Sequence, residues 1–309
     1  MTVLAGWMVR AGLAARLAGN RADLWIPGAA SALAYLAWLP LLAVVAGPPR
    51  TSDFAFVGAG LFSSSAYPWN VLLLAAAATL LVLVAFLIAA LGEAALLRGL
   101  RDDGGGGSLT HDTGVIFTVL LVAALPAAIA VAMVVAATAA IAPGEFGAPD
   151  LGGPLLARIL GSLAPFVLFL AATILLGQAV GAAAIRRAVG TGSQRIAEAL
   201  RDGVRDVLRR PTRRLGLALT GTLAELLAVG LAFALLRILW EPVAEDLAAG
   251  WLLSPATLSL LVGFVAVWLA LLLIAGALHA WVSTWWSAEL APGPAEVPPQ
   301  SGGADAADR

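Results

Sequence analysis

Four residues able to do proton or hydrogen-bond chemistry stand inside otherwise apolar runs: Glu93, Gln178, Glu225 and His279. Ionisable side chains in hydrocarbon are costly and commonly mark a functional site. Glu225 lies about eleven residues into its run, near mid-depth. Glu93, Gln178 and His279 lie closer to the ends of theirs, all in the middle or the same half. Two arrangements suit these spacings. The four can converge on a polar pocket open to one side, with His279 pairing with Glu225 or Glu93. Alternatively they act separately: Glu93 one turn before Arg98, His279 wetted near the interface, and Glu225 protonated or satisfied by a neighbouring helix.

Other chemistries find little support. The chain has no cysteine, hence no disulfide, thiol nucleophile or thiolate metal site. His111 and His279 lie in different segments, and neither belongs to a His-x-x-x-His or Glu-x-x-His pattern. No phosphate loop, nucleophile elbow or dinucleotide fingerprint occurs. The Asp102 to Gly107 run is a glycine linker without phosphate-loop context. The expectation is a protein that is no enzyme and holds no metal or cofactor. A net charge of -1 gives no reason to expect a nucleic-acid partner.

The elements that must position these residues follow from composition. Of 309 residues, 61% are hydrophobic and 12% charged, against about 25% charged in soluble domains. Six runs reach the ~20 residues that cross hydrocarbon, at about 26–47, 69–97, 114–142, 159–187, 214–240 and 256–286. All should be helices, because in lipid each backbone donor needs a partner within its own segment. The expected fold is all-α, a six-helix transmembrane domain over 26–290. Residues 1–25 form an N-terminal interfacial or cytoplasmic segment, and 291–309 a disordered Pro- and Gly-rich tail. Residues 3–20 suit either an interfacial helix or an extension of the first span. The segments 47–68, 143–154 and 241–254 read as loops on one side, rich in Gly, Pro and, in the last, acidic residues.

Charge orients the molecule. Nine arginines fall between Arg186 and Arg214, and loops on that side, with the N-terminus, hold fourteen basic residues against three opposite. The positive-inside rule then puts both termini in the cytoplasm. All 18 basic residues are arginine and alanine is abundant. That is a bias of GC-rich genomes, and it points to a bacterial plasma (inner) membrane. Trp25, Trp69, Trp240, Trp251, Trp281, Trp285 and Trp286 fall near span ends, where amphipathic rings settle.

Within the basic stretch, 194–210 reads as an amphipathic surface helix. Ile196, Leu200, Val204, Val207 and Leu208 share one face. Arg195, Arg201, Arg205, Arg209 and Arg210 take the polar side. Ser193 stands at the N-cap, Asp206 and Arg210 are spaced to pair, and Pro211 ends the helix. Such a helix can brace the next span, bind anionic lipid headgroups or dock a cytosolic protein.

Two further patterns concern packing. Leu91 to Leu100 aligns without a gap on Val180 to Val189, and Ala275 to Leu278 echoes both weakly. The fold would then be three helical hairpins. Gly177 and Gly181 form a small-residue helix contact, expected to pack span four inside the monomer.

Two resemblances bear on function. Glu93 to Leu100 resembles the first motif of the CAAX-type intramembrane prenyl-endopeptidases, Glu-Glu-x-x-x-Arg-Gly, with Glu93 and Arg98 in register. The second Glu is Ala94 here, and the Phe-x-x-x-His motif fails at both histidines. The six spans, the surface helix and the basic segment after an even span also resemble a loose bacterial superfamily. It includes the membrane domain fused to some glycerophosphodiester phosphodiesterases, and it implies an accessory or lipid-handling role with no catalytic residues carried over.

The sequence thus leaves two main readings. The first is a non-enzymatic transport or envelope accessory that contacts lipid or a partner through 194–210. The second is a transporter or permease subunit with a polar intramembrane site around Glu225. A degenerate CAAX-type protein is a distant third.

Overall fold

The computed structural model describes residues 2–33, 40–41, 44–45, 60, 63–101, 108–147, 155–191, 195–250 and 254–290. Among them the regular elements are helices: α1 (Thr2–Asn20), a 3-10 turn (Ala22–Leu24), α2 (Trp25–Ala32), α3 (Trp69–Gly99), α4 (Leu109–Gly147), α5 (Leu155–Thr191), α6 (Ile196–Arg209), α7 (Pro211–Ala248) and α8 (Pro255–Leu290). Five of these, α3, α4, α5, α7 and α8, are long and apolar enough to cross a bilayer. The chain is a multi-pass, all-α integral membrane protein. The first expected run begins as α2, and much of its remainder lies outside the described residues. So do the linker at 102–107, Ser193, Gln194, Trp251, the tail 291–309, and most of the segments 47–68 and 148–154.

Neighbouring helices close a ring: α2 packs on α3, α3 on α4, α4 on α5, α5 on α7, α7 on α8, and α8 back on α2. Water is not the solvent along most of these surfaces, so close backbone approach and dispersion hold the helices together. Small residues allow it. Gly28 and Gly276 lie where α2 crosses α8, and a Cβ on Gly28 would overlap the Gly276 carbonyl. Gly177 sits equally close to the Ala123 carbonyl of α4. The Gly177 and Gly181 pair therefore joins α5 to α4 within one chain.

Packing is densest at the arginine-rich end. Ala90, Ala94 and Leu97 of α3 meet Ile116 and Val119 of α4 and Ala184 and Ile185 of α5. Trp285 and Trp286 of α8 meet Leu217 of α7 and Val207 of α6. Trp7 lies on Trp285 at 4.7 Å between ring centroids, and Trp281 stacks on Trp285 at 5.4 Å. Trp285 and Trp286 are thus core residues and not part of an interfacial belt, whereas Trp69 is exposed. At the far end a smaller cluster joins Leu236, Phe264 and Val44. The outer part of α3 is exposed all round, from Leu72 to Val84, as suits a helix facing lipid.

Ion pairs tie the ends of helices at the dense end. Arg21 reaches the Gly99 carbonyl at 2.9 Å, at the negative end of α3. It also holds Asp23, and that bond keeps the Asp23 carboxyl below the usual carboxylate range. Arg98 bonds Asp112 at 2.9 Å, joining the end of α3 to the start of α4. The α1 helix is not a continuation of the first span. Arg21 and the 3-10 turn separate it from α2, and it lies along α8 with Met8, Val9, Leu13 and Leu17 outward.

Two boundaries differ from the sequence expectation. The segment 241–254 was expected as a loop because of Pro242 and its acidic residues, yet α7 continues to Ala248. Val243 is buried there, and Asp246 accepts a hydrogen bond from Thr257 at 2.8 Å, which anchors the added turns to α8. Ser254 caps α8 by accepting the Thr257 N–H at 3.0 Å. Likewise α4 runs on to Gly147.

Helix α6 packs with part of its expected face, through Ile196, Leu200 and Val207, and is turned so that small residues join them. Ala199, Gly203 and Val207 are buried, Gly203 against Val180 and Ala184 of α5. Val204 and Leu208 are exposed. The small residues decide this, because they let α6 approach α5 more closely than a Val and Leu face would. Asp206 pairs with Arg214 at 2.6 Å, and with Arg187, where the spacing had suggested Arg210.

Candidate functional site

Each of four helices brings a stripe that includes polar residues to a shared cavity. On α3 it is Phe86, Ala89 and Glu93. On α5 it is Ile174, Gln178, Ala182 and Arg186. On α7 it is Ala218, Thr222 and Glu225, and on α8 His279, Ser283 and Trp286. Steps of three and four residues keep each set on one helix face. All of these line a single cavity of about 390 Å³. Ser31 of α2 and Ala123 of α4 contribute small side chains to its wall.

The imidazole of His279 bridges two carboxylates within this wall. Its Nδ1 lies 2.9 Å from Glu225 Oε1 and its Nε2 3.2 Å from Glu93 Oε2. Glu93 is anchored from the other side. Its Oε1 accepts from Arg186 Nη2 at 3.1 Å and from Ser283 Oγ at 2.9 Å. Arg186 is turned into the protein. It also donates to the Ser283 carbonyl at 2.9 Å, the Ala182 carbonyl at 3.1 Å and Ser287 Oγ at 3.2 Å. Gln178, itself exposed, accepts from Thr222 Oγ1 at 2.6 Å and so links α5 to α7.

Proton counting constrains this chain of groups. Each of the two His279–carboxylate bonds needs one proton between its acceptors. An imidazolium between two carboxylates supplies two. A neutral ring with one protonated carboxyl also supplies two. In both cases Arg186, Glu93, His279 and Glu225 together are neutral, which the low dielectric of a helix bundle favours. Losing or gaining one proton charges the cluster and breaks or weakens one bridge. The arrangement can therefore store and release a single proton.

Metal binding has no comparable support. Among the described residues no group of three His, Asp or Glu side chains is placed to hold an ion. Glu93 and Glu225 contact opposite nitrogens of one ring, so one ion cannot join all three.

The structure thus brings Glu93, Gln178, Glu225 and His279 around one cavity, and His279 contacts both Glu225 and Glu93. Glu93 does not pair with Arg98, which bonds Asp112 instead. The two residues that match the prenyl-endopeptidase motif therefore point to different partners. The arginines of the surface helix stand apart from the cavity. Arg201, Arg205, Arg209 and Arg210 are exposed, and Arg195 pairs with Glu198 at 2.9 Å.

Sequence reasoning missed Arg186, which it placed in the cytoplasmic connector with Arg187. On a helix consecutive residues diverge by about 100°. Arg186 turns inward to Glu93, and Arg187 outward to Asp202 and Asp206. Ser283 was missed too, although His279, Ser283 and Ser287 make a readable polar stripe at steps of four. Arg214 and Glu289 were also missed. Both are buried, and Glu289 gathers Arg10, Arg213 and Arg214.

Comparison with family models, curated proteins and solved structures finds no match to this chain.

Proposed function

We propose that this is a non-enzymatic transport protein of a bacterial plasma (inner) membrane, a permease that moves a small solute through the central cavity and links it to a proton. The arginine-rich end and both termini face the cytoplasm. One observation carries the reading: His279 joins Glu225 and Glu93 inside a cavity whose wall is shared by several helices. A structural ion pair does not need a cavity, and a dense accessory bundle does not need a titratable chain of three groups beside one. Mid-membrane carboxylates are costly enough to be kept for a task. A cavity of about 390 Å³ falls in the range of small-molecule sites, roughly 300–1,000 Å³.

The accessory reading rests on the exposed arginines of α6. They suit an anionic lipid surface, and in this proposal they hold the bundle at the cytoplasmic leaflet. The resemblance to the six-helix superfamily fits both readings.

The test uses proteoliposomes that enclose the pH-sensitive dye pyranine. Jumps of small cations, anions and neutral solutes are applied outside. With the unaltered protein at least one solute shifts the internal pH, and Glu225→Gln removes that shift. No response to any solute, or an equal response from Glu225→Gln, overturns the proposal.

A further inference from the structure

The charges facing the cavity identify the class of solute. Arg186 cannot serve an incoming anion well. Its guanidinium is engaged by Glu93, Ser283, Ser287 and the Ala182 carbonyl, all inside the wall. Glu93 is held by Arg186 and Ser283 as well as by His279. Glu225 differs: its bond to His279 uses Oε1 alone, and among the described residues no arginine is paired with it. Among the described residues that line the cavity, the charged or titratable groups around His279 are Glu93 from α3, Arg186 from α5 and Glu225 from α7; α2, packed on the same helix, brings no ionisable residue among Trp25–Ala32. Ser31, Thr173, Gln178, Thr222 and Ser283 add uncharged polar groups. Most of the remaining lining is apolar, including Leu120, Ile174, Val282, Phe86 and Trp286.

We infer that the site takes a hydrophobic monovalent organic cation at Glu225 and gives up one proton in exchange. The inference rests on the transport reading above. The cation's positive group replaces the proton that His279 and Glu225 share. His279 stays neutral and donates its remaining N–H to Glu93. One proton leaves for water and one positive charge enters, so the four groups plus ligand remain neutral. The apolar part of the wall accommodates the alkyl groups, and the lining includes the aromatic residues Phe86 and Trp286, a residue type that attracts a cation. An anion would add one negative charge to the neutral cluster, and a second if the proton left as well, while a dication would need a second free carboxylate.

The test is calorimetric titration of the detergent-purified full chain with tetrabutylammonium, which carries no proton of its own. Repeating it in buffers of different ionisation enthalpy counts protons released by the protein. About one proton per bound cation is expected, with affinity rising about tenfold per pH unit wherever release is complete. Glu225→Gln loses the proton release and at least tenfold in affinity. Gly161→Ala, on α5 outside the cavity lining, retains both. Hexanoate, a monovalent anion with one apolar chain, does not bind. Binding without proton release, equal binding by a folded Glu225→Gln variant, absence of tetrabutylammonium binding, or preference for hexanoate overturns the inference. The transport reading has a separate fate. If hexanoate binds and also drives the pyranine signal, the cation inference falls and transport stands. If tetrabutylammonium releases a proton but no solute moves the dye, transport falls and the cation site stands.

Discussion

Arg186 and Glu93 are the residues on which the site's geometry depends. Their side chains are 8% and 11% exposed, so neither charge has enough water to stand alone. Removing one partner of such a pair costs about 3–5 kcal/mol, while replacing both by neutral groups costs far less. Arg186→Met should therefore destabilise strongly. Adding Glu93→Gln should restore most of the loss, because the orphaned carboxylate is gone. Tryptophan fluorescence during titration with dodecyl sulfate reads this cycle, since Trp281, Trp285 and Trp286 lie on the same helix as His279 and Ser283. Additive losses in the double variant would mean that the two residues do not hold each other. The residue scale is also where sequence reasoning was weakest. The spacing of Glu93, Gln178, Glu225 and His279 was enough to suggest convergence. Nothing local distinguished Arg186 from Arg187, because their divergence depends on where α5 stops being surrounded by protein.

At the scale of elements, contacts between small residues set the ring. Gly276 meets the Trp25 carbonyl and the Ala29 nitrogen, both backbone. A methyl group there cannot be absorbed by a side-chain rotation, so α2 must shift away from α8. Forcing an extra carbon into a close-packed contact costs about 1–3 kcal/mol, so Gly276→Ala should lower thermal stability in detergent. Gly161 is the control. Nothing lies within 4 Å of a Cβ built there, and alanine is a better helix former than glycine by up to about 1 kcal/mol. Gly161→Ala should hold or raise stability; equal losses at both positions would show that packing at the crossing is not what matters. Helix positions were legible because a run of apolar residues in lipid has few alternatives to a helix. Their ends were not. Pro242 and the nearby acids looked like a loop, yet the burial of Val243 and the Asp246–Thr257 bond extend α7 past them. The face of α6 was legible in part for a similar reason. Ile196, Leu200 and Val207 pack as their spacing suggests, but Val204 and Leu208 are exposed because Ala199 and Gly203 let the helix approach α5.

On the scale of the whole molecule, the two ends of the bundle differ in what they could touch. Helix α3 has 31 residues, about 46 Å at the α-helical rise, so residues just before and just after it belong to opposite sides of a bilayer. The segment preceding it, with exposed Ser65, carries no nearby cluster of arginines. The end after it meets Arg21, Arg98, Arg187 and the exposed arginines of α6. Lipid-facing leucines on the outer part of α3 set no direction, because hydrocarbon is the same from either side. Direction must come from the arginines, which resist translocation. The absence of cysteine makes this measurable with single introduced thiols. Ser65→Cys should react with a membrane-impermeant maleimide added to intact cells. Arg201→Cys should react only in inverted vesicles, since it lies exposed on α6 at the arginine-rich end. The reverse pattern would turn the protein over and place the cavity's proton-binding half toward the outside. Proton exchange at His279 and Glu225 would then draw on the external pool, and a gradient directed inward would load the site where the proposed orientation has it unload.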